Sequence, residues 1–118
     1  MRRRVIVVAL VAIAGCSRAE ARAVPGGDVD RGKAGIVATG CGACHDIDGI
    51  DGARGKVGPP LDGVAERSVI GGVLPNTVDN MIRWIEDAPS ISPHTAMPNL
   101  GLSSAQARDV VAYLYSRP

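Results

Sequence analysis

The most informative segment of this 118-residue chain is Cys41-Gly42-Ala43-Cys44-His45. It has the form C-x-x-C-H, the attachment motif of c-type haem. Two thiols on one turn can reach the two vinyl groups on one edge of a porphyrin and form thioethers, and the next residue places an imidazole beneath the iron. The motif therefore predicts one covalently bound haem c, held by Cys41 and Cys44, with His45 as an iron ligand.

Three other interpretations of the motif account for less of it. A disulfide between Cys41 and Cys44 would explain the cysteines but not the adjacent histidine. A thioredoxin-like redox pair needs a βαβ setting, and no strand pattern precedes the motif. A zinc site needs two further ligands, and the only two histidines are His45 and His94, the first too close to Cys44 for the usual spacing.

The second axial ligand of the iron is predicted to be Met97, in the segment Thr95-Ala96-Met97-Pro98. A thioether sulfur is a soft ligand that favours reduced iron, so ligation by His and Met raises the reduction potential. The alternatives are Met81 and His94. Met81 belongs to an apolar helix stripe and is expected in the core, whereas His94 is expected in solvent.

The apolar periodicity predicts three helices separated by long loops, and therefore an all-α fold. The last helix starts at a capping box formed by Ser103 and Gln106. A middle helix starts near Asn76 or Thr77 and is closed by Pro89. A weaker first helix covers about 28–39, where Gly32 is expected to let another helix cross closely. No period-2 run is long enough to predict a strand. The apolar residues of these three helices are Val29, Ile36 and Val37; Val78, Met81, Ile82 and Ile85; and Ala107, Val110, Val111 and Leu114.

The first 27 residues are predicted to lie outside the folded domain, which is expected to cover 28–118. Arg2, Arg3 and Arg4 followed by ten apolar residues have the layout of an export signal, and the apolar run is too short to span a membrane. Ile13-Ala14-Gly15-Cys16 looks like a bacterial lipobox. We therefore expect a signal peptide over 1–15, a lipid on Cys16, a flexible tether over 16–27, and a location on the periplasmic face of a membrane.

The charge of the chain excludes one class of partner. Three of its 13 Lys and Arg residues and none of its 12 Asp and Glu residues lie in 1–15, so the remainder carries a formal net charge of −2. A mildly acidic chain with one Trp, two Tyr and no Phe has no electrostatic footprint for nucleic acid. It also has little aromatic bulk, which a large apolar cofactor would supply.

The order of these features resembles class I cytochrome c. The segment Gly58-Pro59-Pro60-Leu61 is similar to the Gly-Pro-x-Leu segment of that family, which implies that the Pro59 carbonyl accepts a hydrogen bond from His45 Nδ1 and that Leu61 packs on the haem. The resemblance also implies that Arg67 and Thr95 lie near haem propionates. The first helix departs from the family, with Gly35 where a larger residue is usual.

A closer resemblance is to the cytochrome c domain of subunit II of some haem–copper oxidases and to related free cytochromes. It is carried by Gly72-Val73-Leu74-Pro75-Asn76-Thr77 and by Arg83-Trp84-Ile85, and implies that Asn76 and Trp84 face the haem.

An iron with both axial positions filled by protein has no substrate site, so the expected function is outer-sphere electron transfer by a monomer, not enzymatic turnover. The expected donor is a quinol-oxidising complex or another cytochrome, and the expected acceptor is a terminal oxidase. Two alternatives need an open or displaceable ligand position: a haem-based sensor or binding module in which Met97 is displaced by a small molecule, and a peroxidase.

Overall fold

The computed structural model describes residues 21–117, which contain three α-helices and one very short hairpin. The helices are α1 (Val29–Ala38), α2 (Val78–Ile91) and α3 (Ser104–Tyr115), and the hairpin consists of β1 (Val69–Ile70) and β2 (Leu74–Pro75). The predicted all-α architecture with long loops is confirmed. No helix within 21–117 is both long enough and apolar enough to cross a membrane.

Asp28 is the N-cap of helix α1, and its side chain accepts a hydrogen bond from the Arg31 amide at 2.8 Å. Ile36 is fully buried, but Val29 and Val37 are 42% and 62% exposed, so the predicted apolar stripe is wrong at these two residues. The reason is that α1 meets its neighbour along a narrow strip centred on Gly32, and the two valines lie beside that strip.

Helices α1 and α3 cross in close contact at Gly32. A Cβ atom at this position would overlap the carbonyl group of Asp109 and lie 3.0 Å from the Cβ of Tyr113. The close crossing predicted for Gly32 is therefore confirmed. Gly35, one turn later, is less restricted, because a Cβ there would lie 3.3 Å from Val110 Cγ2.

Helix α3 contributes more buried residues to the core than any other element. Its capping box is present, with the Ser103 hydroxyl accepting from the Gln106 amide and the Gln106 side chain accepting from the Ser103 amide. The predicted stripe is buried, and so are Asp109, Ala112, Tyr113 and Tyr115. Burial on more than one face follows from the position of α3, which packs on both α1 and α2.

Helix α2 starts at Thr77, whose hydroxyl accepts from the Asn80 amide at 3.1 Å, and it buries Met81, Ile82 and Ile85 as predicted. The prediction that Pro89 closes it is wrong. The helix kinks at Asp87, whose backbone is not helical, and continues to Ile91. Pro89 lies in the first turn after the kink, where a backbone N–H would have no acceptor within the helix. The missing N–H of proline therefore costs no hydrogen bond there.

The hairpin before α2 was not expected from the sequence. It pairs Val69 with Pro75 and Ile70 with Leu74. Two residues per strand are too few to produce a period-2 pattern, so the hairpin leaves no periodic signal in the sequence.

The segment before α1 differs from the predicted tether in its described part. The Arg22 amide donates to the Tyr115 carbonyl oxygen at 3.0 Å, and Val24 packs against the core. Among the described residues, contact with the domain is already present at Arg22, six residues before the expected boundary at residue 28. Cys16 and the predicted signal peptide lie outside the described residues.

Candidate functional site

A cavity of about 600 Å³ lies between the helices and the two long loops. This volume is within the range of about 300–1,000 Å³ that is typical of ligand and cofactor pockets. Most of its lining side chains are apolar. Of the predicted site residues, the cavity is lined by Cys41, Cys44, His45, Pro59, Leu61, Arg67, Trp84, Thr95 and Met97.

The C-x-x-C-H motif forms one tight turn on the cavity wall. Gly40 enters it with a positive φ of 72°, Cys41–Ala43 form a 3₁₀ turn, and the His45 amide donates to the Cys41 carbonyl oxygen at 3.0 Å. Both cysteines are partly buried and carry free thiols. The turn therefore presents two thiols and one imidazole to the same space, and the two thiols do not form a disulfide.

His45 is held from behind by the loop that follows the motif. Its Nδ1 lies 2.7 Å from the Pro59 carbonyl oxygen, and the Gly58 amide donates to the Cys44 carbonyl oxygen at 2.8 Å. A Cβ atom at Gly58 would overlap the imidazole ring. Because a carbonyl can only accept, Nδ1 is the donor in this contact, and in the neutral imidazole the lone pair of Nε2 is then available to a metal ion.

The loop between Asp46 and Lys56 is closed by ion pairs at its base. Asp46 lies 3.1 Å from the Arg54 guanidinium and 3.0 Å from Lys56 Nζ. The hydrogen bond from Lys56, together with the two nearby positive charges, lowers the pKa of Asp46. Ile47, Ile50 and Ala53 are buried inside the loop. This packing gives the chain a rigid path from His45 back to Gly58 and Pro59.

All three candidates for the second axial ligand, Met81, His94 and Met97, line the cavity. Met81 is buried in the α2 stripe and His94 is exposed, as predicted. Met97 is partly buried on the loop before α3, and its amide donates to Thr95 Oγ1 at 3.2 Å. The Thr95 hydroxyl proton is left for a second acceptor.

Arg67 is at the edge of the cavity, and its guanidinium donates to the carbonyl oxygens of Pro60 and Asp62. Asn76 is not among the residues that line the cavity, which corrects the expectation that it faces the haem. Its side-chain amide instead donates to the carbonyl oxygens of Val64 and Arg67 at 2.8 and 2.7 Å. Val64 and Arg67 both line the cavity, so these bonds connect Asn76 to the cavity wall although Asn76 itself does not line it.

Trp84 lies in the cavity wall beside the turn of the hairpin. Gly71 in that turn has a φ of 56°, and a Cβ there would overlap the indole ring. Gly71 was not among the predicted site residues. The adjacent glycines 71 and 72 between two short apolar runs are a turn signal that could have located it.

The cavity fits haem c on three observations. The thiols of Cys41 and Cys44 are free beside a histidine whose Nε2 is available, and a methionine borders the same space. The lining is predominantly apolar, as a porphyrin requires. Glycines at 58 and 71 leave room for the His45 and Trp84 rings where any side chain would displace them.

Comparison with known proteins agrees with this geometry. The family model described as Cytochrome c matches residues 29–118, which are most of the chain. The chain therefore belongs to the cytochrome c family, with a class I c-type fold and covalently bound haem c as its cofactor.

One relative is a longer protein. Cytochrome c oxidase subunit 2 of Alkalihalophilus pseudofirmus is 34% identical over 77 residues, which are 64% of this chain and 22% of that protein. The chain thus spans less than a quarter of the length of this curated relative.

Proposed function

We propose that this cytochrome is a membrane-anchored mono-haem carrier that moves single electrons between respiratory complexes, toward a terminal oxidase, with His45 and Met97 as axial ligands. When bound, haem c supplies an iron that accepts and releases one electron at a time. One electron comes from a reduced donor protein and goes to an oxidised acceptor, with no transfer of atoms.

The observation that carries this proposal is that His45 and Met97 line the same cavity as the two free thiols. If protein side chains occupy both axial positions, no position remains for a substrate, and the expected role is electron transfer without enzymatic turnover. Met97 is favoured over Met81 because Met81 is buried in the core cluster with Ile82 and Ile85, whereas Met97 lies on a loop and only packs against that cluster.

The remaining lining residues would hold the cofactor by position and polarity. Cys41 and Cys44 would form the two thioether bonds. Pro59 would keep the His45 imidazole oriented, which also raises its basicity toward iron. Leu61 and Trp84 would cover the porphyrin, and the Arg67 guanidinium and Thr95 hydroxyl are the donors suited to the two propionates.

The proposed redox partners and the proposed lipid anchor are supported by observations other than the geometry of the cavity. The similarity to a cytochrome c oxidase subunit supports an oxidase as the acceptor, and a quinol-oxidising complex or another cytochrome is the corresponding donor. A lipid on Cys16 would hold the domain near such partners at the periplasmic face of the membrane and raise their effective concentration.

Optical spectroscopy of the exported protein tests the ligand assignment. The oxidised wild-type protein should show the weak red absorption of sulfur–iron ligation, and Met97→Ala should lose it. Met81→Leu and His94→Ala serve as controls and should keep it. Loss of the band in a control but not in Met97→Ala would transfer the ligand role to that residue.

Carbon monoxide separates the carrier from its alternative, a module in which a small ligand displaces Met97. The alternative has one specific observation in its favour, since Met97 lies on a loop and is only partly buried. The reduced carrier should not bind carbon monoxide at neutral pH, whereas Met97→Ala should bind it. Rapid binding by the wild-type protein would favour the sensor or an open-site enzyme.

A further inference from the structure

We propose that Arg22 is a positioning residue for the haem site, acting through Tyr115, Asn76 and Arg67. The inference rests on the proposed function, since it concerns the reduction potential of the carrier. It assigns a role to the segment before α1, which connects the domain to the predicted anchor.

Arg22 makes the first connection with both its backbone and its side chain. Its amide donates to the Tyr115 carbonyl oxygen at 3.0 Å, and its guanidinium lies 5.1 Å from the centre of the Tyr115 ring. The same guanidinium donates to the carbonyl oxygens of Asn76 at 3.1 Å and Ala65 at 3.4 Å. One side chain therefore joins the end of α3 to the loop before α2.

Tyr115 and Asn76 make the second connection. The Tyr115 hydroxyl donates to Asn76 Oδ1. Burial raises the pKa of Tyr115, with Arg22 acting in the opposite direction, so the phenol keeps its proton at neutral pH. Asn76 uses both amide protons on the carbonyl oxygens of Val64 and Arg67. Because the Tyr115 hydroxyl donates to Oδ1, only one orientation of the Asn76 carboxamide satisfies all three hydrogen bonds.

Arg67 makes the third connection, to the cavity. Among the described residues that line it, Arg67 is the only Asp, Glu, Lys or Arg. Its guanidinium donates to the carbonyl oxygen of Pro60, and the preceding residue, Pro59, accepts from His45. A hydrogen-bonded path therefore runs from Arg22 to the fixed positive charge at the cavity and to the neighbour of the residue that orients His45.

The consequence is a predicted direction for the reduction potential. Reduction adds one negative charge to the site, and a nearby cation stabilises the reduced form. If Arg22 no longer holds Tyr115 and Asn76, the loop that carries Arg67 is less constrained, and its guanidinium spends less time at the cavity. The oxidised form is then favoured, and the potential falls.

The test compares Arg22→Lys, Tyr115→Phe, the double variant and the control Arg83→Lys by spectroelectrochemistry of the holoprotein. Lysine keeps the charge of Arg22 but lacks the planar guanidinium that lies over the Tyr115 ring while its Nη1 donates to two carbonyl oxygens. Arg22→Lys and Tyr115→Phe should each lower the potential, and the double variant should lower it by less than their sum because both act in one path. Arg83 is exposed on α2 and does not line the cavity, so its variant should match the wild type.

The potential separates positioning from a purely structural role. Guanidinium unfolding of the same samples shows whether each variant is folded, and a destabilised variant with an unchanged potential contradicts the inference. The inference is overturned if Arg22→Lys and Tyr115→Phe both keep the wild-type potential. The path ends on Arg67 and on Pro60, the neighbour of the residue that accepts from His45, so the expected change in potential does not depend on which side chain is the second axial ligand. Failure of the Met97 test and failure of this one are therefore distinguishable.

Discussion

Gly32 on α1 lies directly against the carbonyl group of Asp109 on α3, leaving no room for a Cβ atom between the two backbones. The same aspartate accepts from the Asp28 amide at 2.8 Å and from Arg31 Nε at 2.7 Å. One residue of α3 thus sets both the distance between the helices, through its carbonyl, and their alignment, through its carboxylate. This crossing closes the fold beside the haem cavity, which Val110 and Leu114 of α3 also line.

Replacing Gly32 by alanine should force the two helices apart. We expect Gly32→Ala to lower the free energy of unfolding by about 3 kcal/mol, the upper part of the usual range for overpacking. Gly35→Ala is the matched control in the same helix. Its Cβ would meet only the end of the Val110 side chain, and alanine gains about 1 kcal/mol of helix propensity, so its net effect should be small. Guanidinium unfolding measures both, and equal effects would contradict the tight crossing.

The Asp109 carboxylate should make stability depend on pH. The hydrogen bond from Arg31, the Asp28 amide and the positive charges of Arg31 and Arg108 together lower its pKa. The unfolded chain therefore binds the proton more readily, and the stabilisation is complete above the unfolded pKa of about 3.9 and is lost as the pH falls through the folded value.

The Asp109→Asn variant tests this sign. It should be less stable than the wild type near pH 6, and the difference should shrink as the pH is lowered toward about 3. The exposed loop residue Asp51 supplies the control Asp51→Asn, which should follow the wild-type curve. The measurement is the guanidinium midpoint across this pH range. If the difference in midpoint between Asp109→Asn and the wild type instead widened as the pH fell, the lowered pKa of Asp109 would be contradicted.

The hairpin turn gives a test of the Trp84 position. Both Gly71 and Gly72 have positive φ, so alanine at either costs about 1–2 kcal/mol of backbone strain. Only a Cβ at Gly71 would overlap the indole. The emission of Trp84, the single tryptophan, should be quenched by haem in the wild type and in Gly72→Ala, and should rise in Gly71→Ala. Equal emission from the two variants would contradict the contact between Gly71 and the indole, and bright emission from the wild type would place the indole away from the haem.

The predicted anchor is tested by membrane partition of the exported protein. A diacylated Cys16 would add about 0.8 kcal/mol per buried CH₂, so the wild-type protein should stay with membranes at high salt. Cys16→Ser should become soluble or remain an uncleaved precursor, and Ser17→Ala should behave as wild type. Haem attachment should be unchanged in both variants. A soluble wild-type protein with the mass of an unmodified chain would rule out the anchor.

Local features could be predicted from the amino-acid sequence alone. The C-x-x-C-H turn, the Ser103 capping box and the start of α2 at Thr77 each depend on residues within one or two turns of each other, and backbone geometry alone brings such residues together. The close crossing at Gly32 was also predictable, because a glycine destabilises a helix and its presence there suggests that another group needs the space of a side chain. The family resemblance supplied the bond between His45 and Pro59, since the residues of the motif do not reveal it.

Contacts between residues that are distant in the sequence are visible only in the folded chain. Asn76 was expected at the haem, but Tyr115, 39 positions away, and the Arg67 carbonyl hold its side chain outside the cavity. Arg22 was expected in a tether, yet it packs on Tyr115 and the Asn76 carbonyl. No local pattern encodes these contacts. A polar side chain has many possible partners in an extended chain, and the packing of α3 against the other elements selects the ones that remain within reach.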